Sequence, residues 1–108
     1  MFVIPIKPLS VNQVWQGRRF KTDDYKQYER DVSLFLRNVK TIRGQVKVFY
    51  KFYVSNMLAD IDNCIKPLQD ILVKNKVIED DRFIIELCAM KFKVEKGMEK
   101  TEVTICGV

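Results

Sequence analysis

Four aspartates bracket one short run of this chain, the stretch DIDNCIKPLQDILVKNKVIEDD from Asp60 to Asp81. Asp60 and Asp62 stand two apart at its head, and the adjacent pair Asp80 and Asp81 closes it. Carboxylates are hard oxygen ligands. Two pairs of them with Lys66 close by would make an oxygen-rich cage for Mg²⁺. If the strand before them runs on this far, Asp60 and Asp62 project to one side, because strand side chains alternate. If Asp62 instead begins a helix, Lys66 lies one turn above it at i,i+4. Plainer roles fit the same residues. Asp62 is a good helix N-cap, Asp60 suits a turn, Asp80-Asp81 suits a solvated turn before a strand, and Lys66 suits an exposed helix face.

The elements that must hold these groups can be read outward from them. Ile65, Leu68, Ile71 and Leu72 fall on one helical face. Pro67 is best tolerated in a first turn, so the helix is expected to start near Asp62 or Asn63. Upstream, residues 45–55 (QVKVFYKFYVS) alternate as a strand. Val46, Val48, Tyr50, Phe52 and Val54 take one side, and Lys47, Phe49, Lys51 and Tyr53 the other. The second side is partly aromatic and calls for a cover, either a helix or another subunit. Downstream, residues 82–94 predict a long strand apolar on both faces. Gly97 marks a turn, and residues 100–106 alternate with Val103 and Ile105 together, which predicts an antiparallel hairpin.

At the N-terminus, residues 2–7 predict a short strand that Pro5 sends to a sheet edge or a strand end. Residues 8–21 read as a polar loop. There Arg18, Arg19 and Lys21 beside Trp15 and Phe20 would either grip a phosphate backbone and stack on a base, or be solvated around a core tryptophan. Thr22 is a natural N-cap, with Asp23 and Asp24 in the first turn of a helix through about residue 39. Its buried face would carry Tyr25, Tyr28, Val32, Phe35, Leu36 and Val39, with Arg37 and Lys40 near its end. The order is β-α-β-α-β-β, a single small α/β domain of the two-layer α+β kind, with a mixed sheet and two helices.

Composition narrows the chemistry. The chain contains no histidine, which removes imidazole general bases, Ser-His and Cys-His catalysis and histidine-ligated zinc motifs together. Acid–base work falls to carboxylates, lysine, tyrosine or metal-bound water. Nineteen Lys and Arg against fourteen Asp and Glu give a net charge of +5, a balance that draws polyanions such as nucleic acid. Cys64, Cys88 and Cys106 are odd in number and lack metal-site spacing. They are expected to be reduced packing residues of a cytosolic protein. No apolar run suits a membrane span, and the first residues do not read as a signal peptide.

Asp60-Ile61-Asp62-Asn63 followed by Lys66, an apolar helix and then Asp80-Asp81 opening a strand resembles the RusA family of Holliday junction resolvases. Pro8-Leu9-Ser10-Val11-Asn12 after the first strand is similar to that family's Pro-x-Ser-x-Asn element. The resemblance implies a homodimeric, Mg²⁺-dependent endonuclease of branched DNA (four-way junctions), with Mn²⁺ as a substitute ion and no organic cofactor. Most known members are phage- or prophage-borne, which implies the cytoplasm of a bacterial or phage-infected cell. By position, Asp60, Asp62 and Asp81 would be the catalytic metal-binding carboxylates, supported by Asp80, and Lys66 the essential lysine. Asn63 would contact DNA or orient its neighbours, and Asn12 would contact DNA; the cations Arg18, Arg19 and Lys21 of the 8–21 loop would share the grip on DNA. One departure stands out. Many relatives carry arginines immediately before the D-x-D, where this chain has Asn56-Met57-Leu58-Ala59.

The physics suits that role. Phosphodiester hydrolysis requires a deprotonated water in line with the leaving oxygen and neutralisation of charge on the phosphorus oxygens. Magnesium on carboxylates supplies both without histidine. Two rival readings share the residues: a magnesium nuclease of flaps, nicks or single strands on the same scaffold, and a basic dimeric DNA-binding protein whose acids only cap and turn.

Overall fold

The computed structural model describes residues 1–10, 15–16 and 20–108. Among the described residues, six strands, two helices and one 3-10 turn follow one another. They are β1 (Phe2–Ile4), β2 (Trp15–Gln16), β3 (Phe20–Lys21), α1 (Asp23–Phe35), β4 (Val46–Val54), α2 (Ile61–Lys74), the turn Asp81–Phe83, β5 (Ile84–Lys93) and β6 (Lys100–Gly107). β2 and β3 form a two-residue antiparallel ladder of their own. The other four strands make one mixed sheet in the order β1-β6-β4-β5, an α+β fold with the expected β-α-β-α-β-β sequence.

β4 is the axis of the domain. Its alternation survives intact: Val46, Val48, Tyr50, Phe52 and Val54 are buried, while Lys47 and Lys51 are exposed and Phe49 and Tyr53 half-covered. The buried side packs on Tyr25, Tyr28 and Val32 of α1 and on Cys64, Leu68, Ile71 and Leu72 of α2. The helices are joined at their far ends. Lys74 Nζ donates to Glu29 Oε1 at 2.8 Å, and Asn75 Nδ2 to Ser33 Oγ at 3.1 Å.

Several expectations need correction. The last two strands do not form a hairpin. β5 runs parallel to β4, and β6 lies antiparallel on the opposite side of β4, between it and β1. The reason is burial. Thr101 and Val103 of β6 are almost fully enclosed and need neighbours on both edges. β5 leaves Ile85, Leu87 and Met90 between 44% and 49% exposed, as an edge strand can. Periodicity reports which face a residue takes, not which strand lies beside it. β5 also starts at Ile84, because Asp81–Phe83 form a 3-10 turn.

α1 is capped as expected, with Thr22 Oγ1 accepting from the Tyr25 N–H at 3.1 Å. It stops at Phe35, short of residue 39, so Arg37 and Lys40 lie beyond it and Phe35 is 46% exposed. Of the cysteines, only Cys64 is a packing residue; Cys88 and Cys106 are exposed on strands, all three as free thiols.

Pro67 lies in the second turn of α2, not the first, since the helix begins at Ile61. An interior proline removes one hydrogen bond and costs about 3 kcal/mol. Leu68, Ile71 and Leu72 are each 0% exposed, and burial of such side chains contributes roughly 1.5–3 kcal/mol apiece. Packing therefore outweighs the proline, and the helix runs through it.

Candidate active site

The strand before the acidic stretch ends at Val54, so Asp60 and Asp62 do not share a strand face. They start α2 instead. Asp60 is its N-cap residue, with extended backbone at φ −66° and ψ 146°, and Asp62 is exposed in the first turn. Asp62 is thus not the cap. Asp60 holds the cap position without a side-chain capping bond; its carbonyl accepts from Asn63 N–H at 3.1 Å. The plain capping role accounts for neither carboxylate, and both face solvent at the positive end of a helix.

The second acidic pair is held from behind. Ile42 bridges Ile78 in parallel, and the Ile42 N–H donates to the Val77 carbonyl at 3.0 Å. Glu79 accepts from the Gly44 N–H through Oε1 at 2.6 Å, at a glycine whose φ of +76° few other residues adopt. Val77 and Ile78 are completely buried. This anchor delivers Asp80 and Asp81 to the start of a 3-10 turn packed against α2. Asp80 Oδ1 accepts from the Arg82 N–H at 3.1 Å. That bond, and next a hydrogen bond with the Asp81 side chain, hold its carboxyl below the usual range.

Lys66 lies on α2 within reach of the charge of Asp81. Its Nζ forms an i,i+4 ion pair with Asp70 Oδ1 at 2.9 Å, pointing away from Asp62. The Asp70 hydrogen bond and charge raise the pKa of Lys66 first, and the charge of Asp81 raises it further. An exposed i,i+4 pair is worth only about 0.3–0.5 kcal/mol, so a phosphate can draw the ammonium from Asp70 at little cost. Asn63 is half-buried in the same first turn. Of the other expected DNA contacts, Asn12, Arg18 and Arg19 lie outside the described residues, and Lys21 is placed only as part of β3.

Among the described residues, no three Asp, Glu, Cys or His side chains stand close enough together to hold a metal ion. The carboxylates form two adjoining pairs, not a finished cage. Their chemistry nonetheless fits magnesium, which is usually held by one or two carboxylates and completes its shell with water and substrate phosphates.

The N-terminal motif lies against the loop before α2. Pro8 and Ser10 line a cavity of about 230 Å³ with Lys7, Ser55, Leu58 and Cys64, directly beside the loop leading into Asp60. A family model of the RusA endodeoxyribonucleases matches residues 5–106 of the 108. The chain belongs to the RusA family. The match runs from the end of the first strand into β6, so both acidic pairs, the lysine and the Pro-Ser element fall inside the RusA domain. No curated protein compared with the chain matches it. Among the described residues, no helix is long and apolar enough to cross a membrane.

Sequence reading missed two contacts that hold the segments of the candidate site. One is Glu79, whose partner Gly44 is 35 residues away. The other is Lys91, whose Nζ donates to the carbonyls of Met57 at 3.0 Å and Ala59 at 2.6 Å. A cation in a strand of alternating character carries no signal that it reaches a loop more than thirty residues earlier.

Proposed function

We propose that this RusA-family endodeoxyribonuclease resolves four-way DNA junctions as a Mg²⁺-dependent homodimer, by paired phosphodiester hydrolysis. The observation that carries this reading is the RusA-family match over both acidic pairs, supported by the packing of the turn Asp81–Phe83 against α2 and by the charge of Asp81 reaching Lys66. Asp60, Asp62 and Asp81 would hold the ion, with Asp80 fixing the turn that carries Asp81. Magnesium, when bound, supplies charge neutralisation at the phosphate and eases deprotonation of water. Lys66 leaves Asp70 for the phosphate and adds a positive charge where negative charge develops in the transition state. Asn63, one position after Asp62, would contact the DNA strand or orient its neighbours. A junction has near two-fold symmetry and must be cut twice, and a C2 dimer presents two equivalent sites to it.

The test compares a synthetic four-way junction, a flap and a linear duplex in Mg²⁺, in Mn²⁺ and in EDTA. Symmetrically paired nicks in the junction alone, dependent on the divalent ion, are expected. Preferential cutting of flaps would make this a different nuclease on the RusA scaffold, and no cutting at all would leave only a binding protein.

A further inference from the structure

Lys91 sits in β5 opposite Phe52, whose side chain is completely buried, so its stem runs along the helix-bearing face of the sheet. Its ammonium ends on two backbone carbonyls, those of Met57 and Ala59. The second belongs to the peptide that carries the nitrogen of Asp60. Between the two carbonyls, the Leu58 N–H donates to Asn56 Oδ1 at 2.9 Å. The four-residue segment before the D-x-D is therefore held at three points, although Leu58 itself is 88% exposed.

We propose that Lys91 is a positioning residue of the active site. By gripping the carbonyls of Met57 and Ala59 it fixes the peptide leading into Asp60. With that peptide fixed, the start of α2 that carries Asp60 and Asp62 keeps one arrangement for a divalent ion. The ordinary alternative is a surface lysine that merely tidies a loop. A tidying role would leave ion affinity untouched, whereas groups that orient metal-binding residues typically change metal affinity or activity about 10–100-fold when removed.

This inference rests on the acidic segment being the metal site, and the experiment separates the two. Mg²⁺ and Mn²⁺ binding to the DNA-free protein is measured by calorimetry for wild type, K91M, K91R and D62N. Junction affinity in EDTA and nicking rate against Mg²⁺ concentration are measured on the same preparations. K91M is expected to bind the ion about 10-fold or more weakly. Its half-maximal Mg²⁺ concentration should rise equally, with junction affinity unchanged, and K91R, which can reach two carbonyls, should recover most of the loss. Wild-type ion affinity and rate in K91M overturn the proposal, as does a loss confined to junction affinity, which would make Lys91 a phosphate contact. If K91M does not fold, K91Q, which keeps an uncharged donor, replaces it, and wild-type ion affinity in folded K91Q overturns the proposal. D62N that binds ion and cuts normally overturns the underlying site itself. Inactive D62N beside normal K91M overturns only the role of Lys91.

Discussion

At Asp62 the carboxylate stands second in α2, where the helix asks nothing of it beyond a favourable charge at the dipole. Asparagine there keeps the size and gives up about 0.3–1 kcal/mol at most. Asp62→Asn should therefore leave thermal unfolding within a few degrees of wild type and junction binding in EDTA unchanged or slightly tighter. Nicking in Mg²⁺ should fall by about 100-fold or more, the scale of losing one group that stabilises transition-state charge. Asp60→Asn and Asp81→Asn should follow. A folded Asp62→Asn protein that nicks at near wild-type rate would sink the mechanism. The identities of these residues were legible in the sequence because carboxylates, a lysine and their spacing are local features. Their supports were not. Lys91 reaches Met57 and Ala59, and Glu79 reaches Gly44, through contacts that exist only once the sheet has formed.

Helix and strand positions were legible for the same reason and failed where packing decides. The alternation of β4 marked its buried face correctly and the start of α2 fell within one residue of its expected place, while Pro67 stands in the second turn because packing of the residues after it overrides the local penalty. The contact between α1 and β4 also sets the response to alkali. Burial first, then neighbouring charge, pushes the Tyr28 and Tyr50 hydroxyls well above their ordinary range, and Tyr50 donates to Gln69 Oε1 at 3.3 Å. A pKa raised on folding means that the native state holds the proton more tightly than the unfolded chain does. The stabilisation is thus complete below the unfolded value of about 10 and is lost as pH climbs from there toward the folded values. Thermal unfolding should be steady from pH 7 to about 9.5 and decline steeply above about pH 10. Tyr28→Phe should soften that decline. An unfolding temperature independent of pH up to about 11 would refute the link.

For the molecule as a whole, both helices lie on one side of the sheet. The other side carries Val3, Phe49, Tyr53, Cys88, Met90, Phe92 and Cys106, interleaved with Lys47, Lys51 and Glu102. Tyr53 and Phe92 stack there at 5.1 Å, and Tyr53 donates to Glu102 Oε1. A mixed apolar and charged face of this kind is suited to a second copy of the chain. Sedimentation at micromolar concentration should give a dimer burying on the order of 1,200–2,000 Å². Lys51→Glu with Phe49→Ser should shift it toward monomer and abolish paired cutting before single nicking. A wild-type monomer with and without junction DNA would remove the dimer from the mechanism. The partly aromatic second side of β4 was visible in the sequence, but that neither helix covers it emerges only from where both helices dock.

The central place of β6 has a consequence for timing. A ribosome makes this chain from β1 onward, and all four bracketing aspartates are out long before residues 100–107. Until those residues follow, β1 has no strand to pair with and β4 has one side open. Domains complete themselves when their last necessary element arrives. A message broken before Lys100 would release a chain that bears all four bracketing aspartates yet lacks the strand that closes its sheet. Such a product is fodder for proteases and not a stray nuclease.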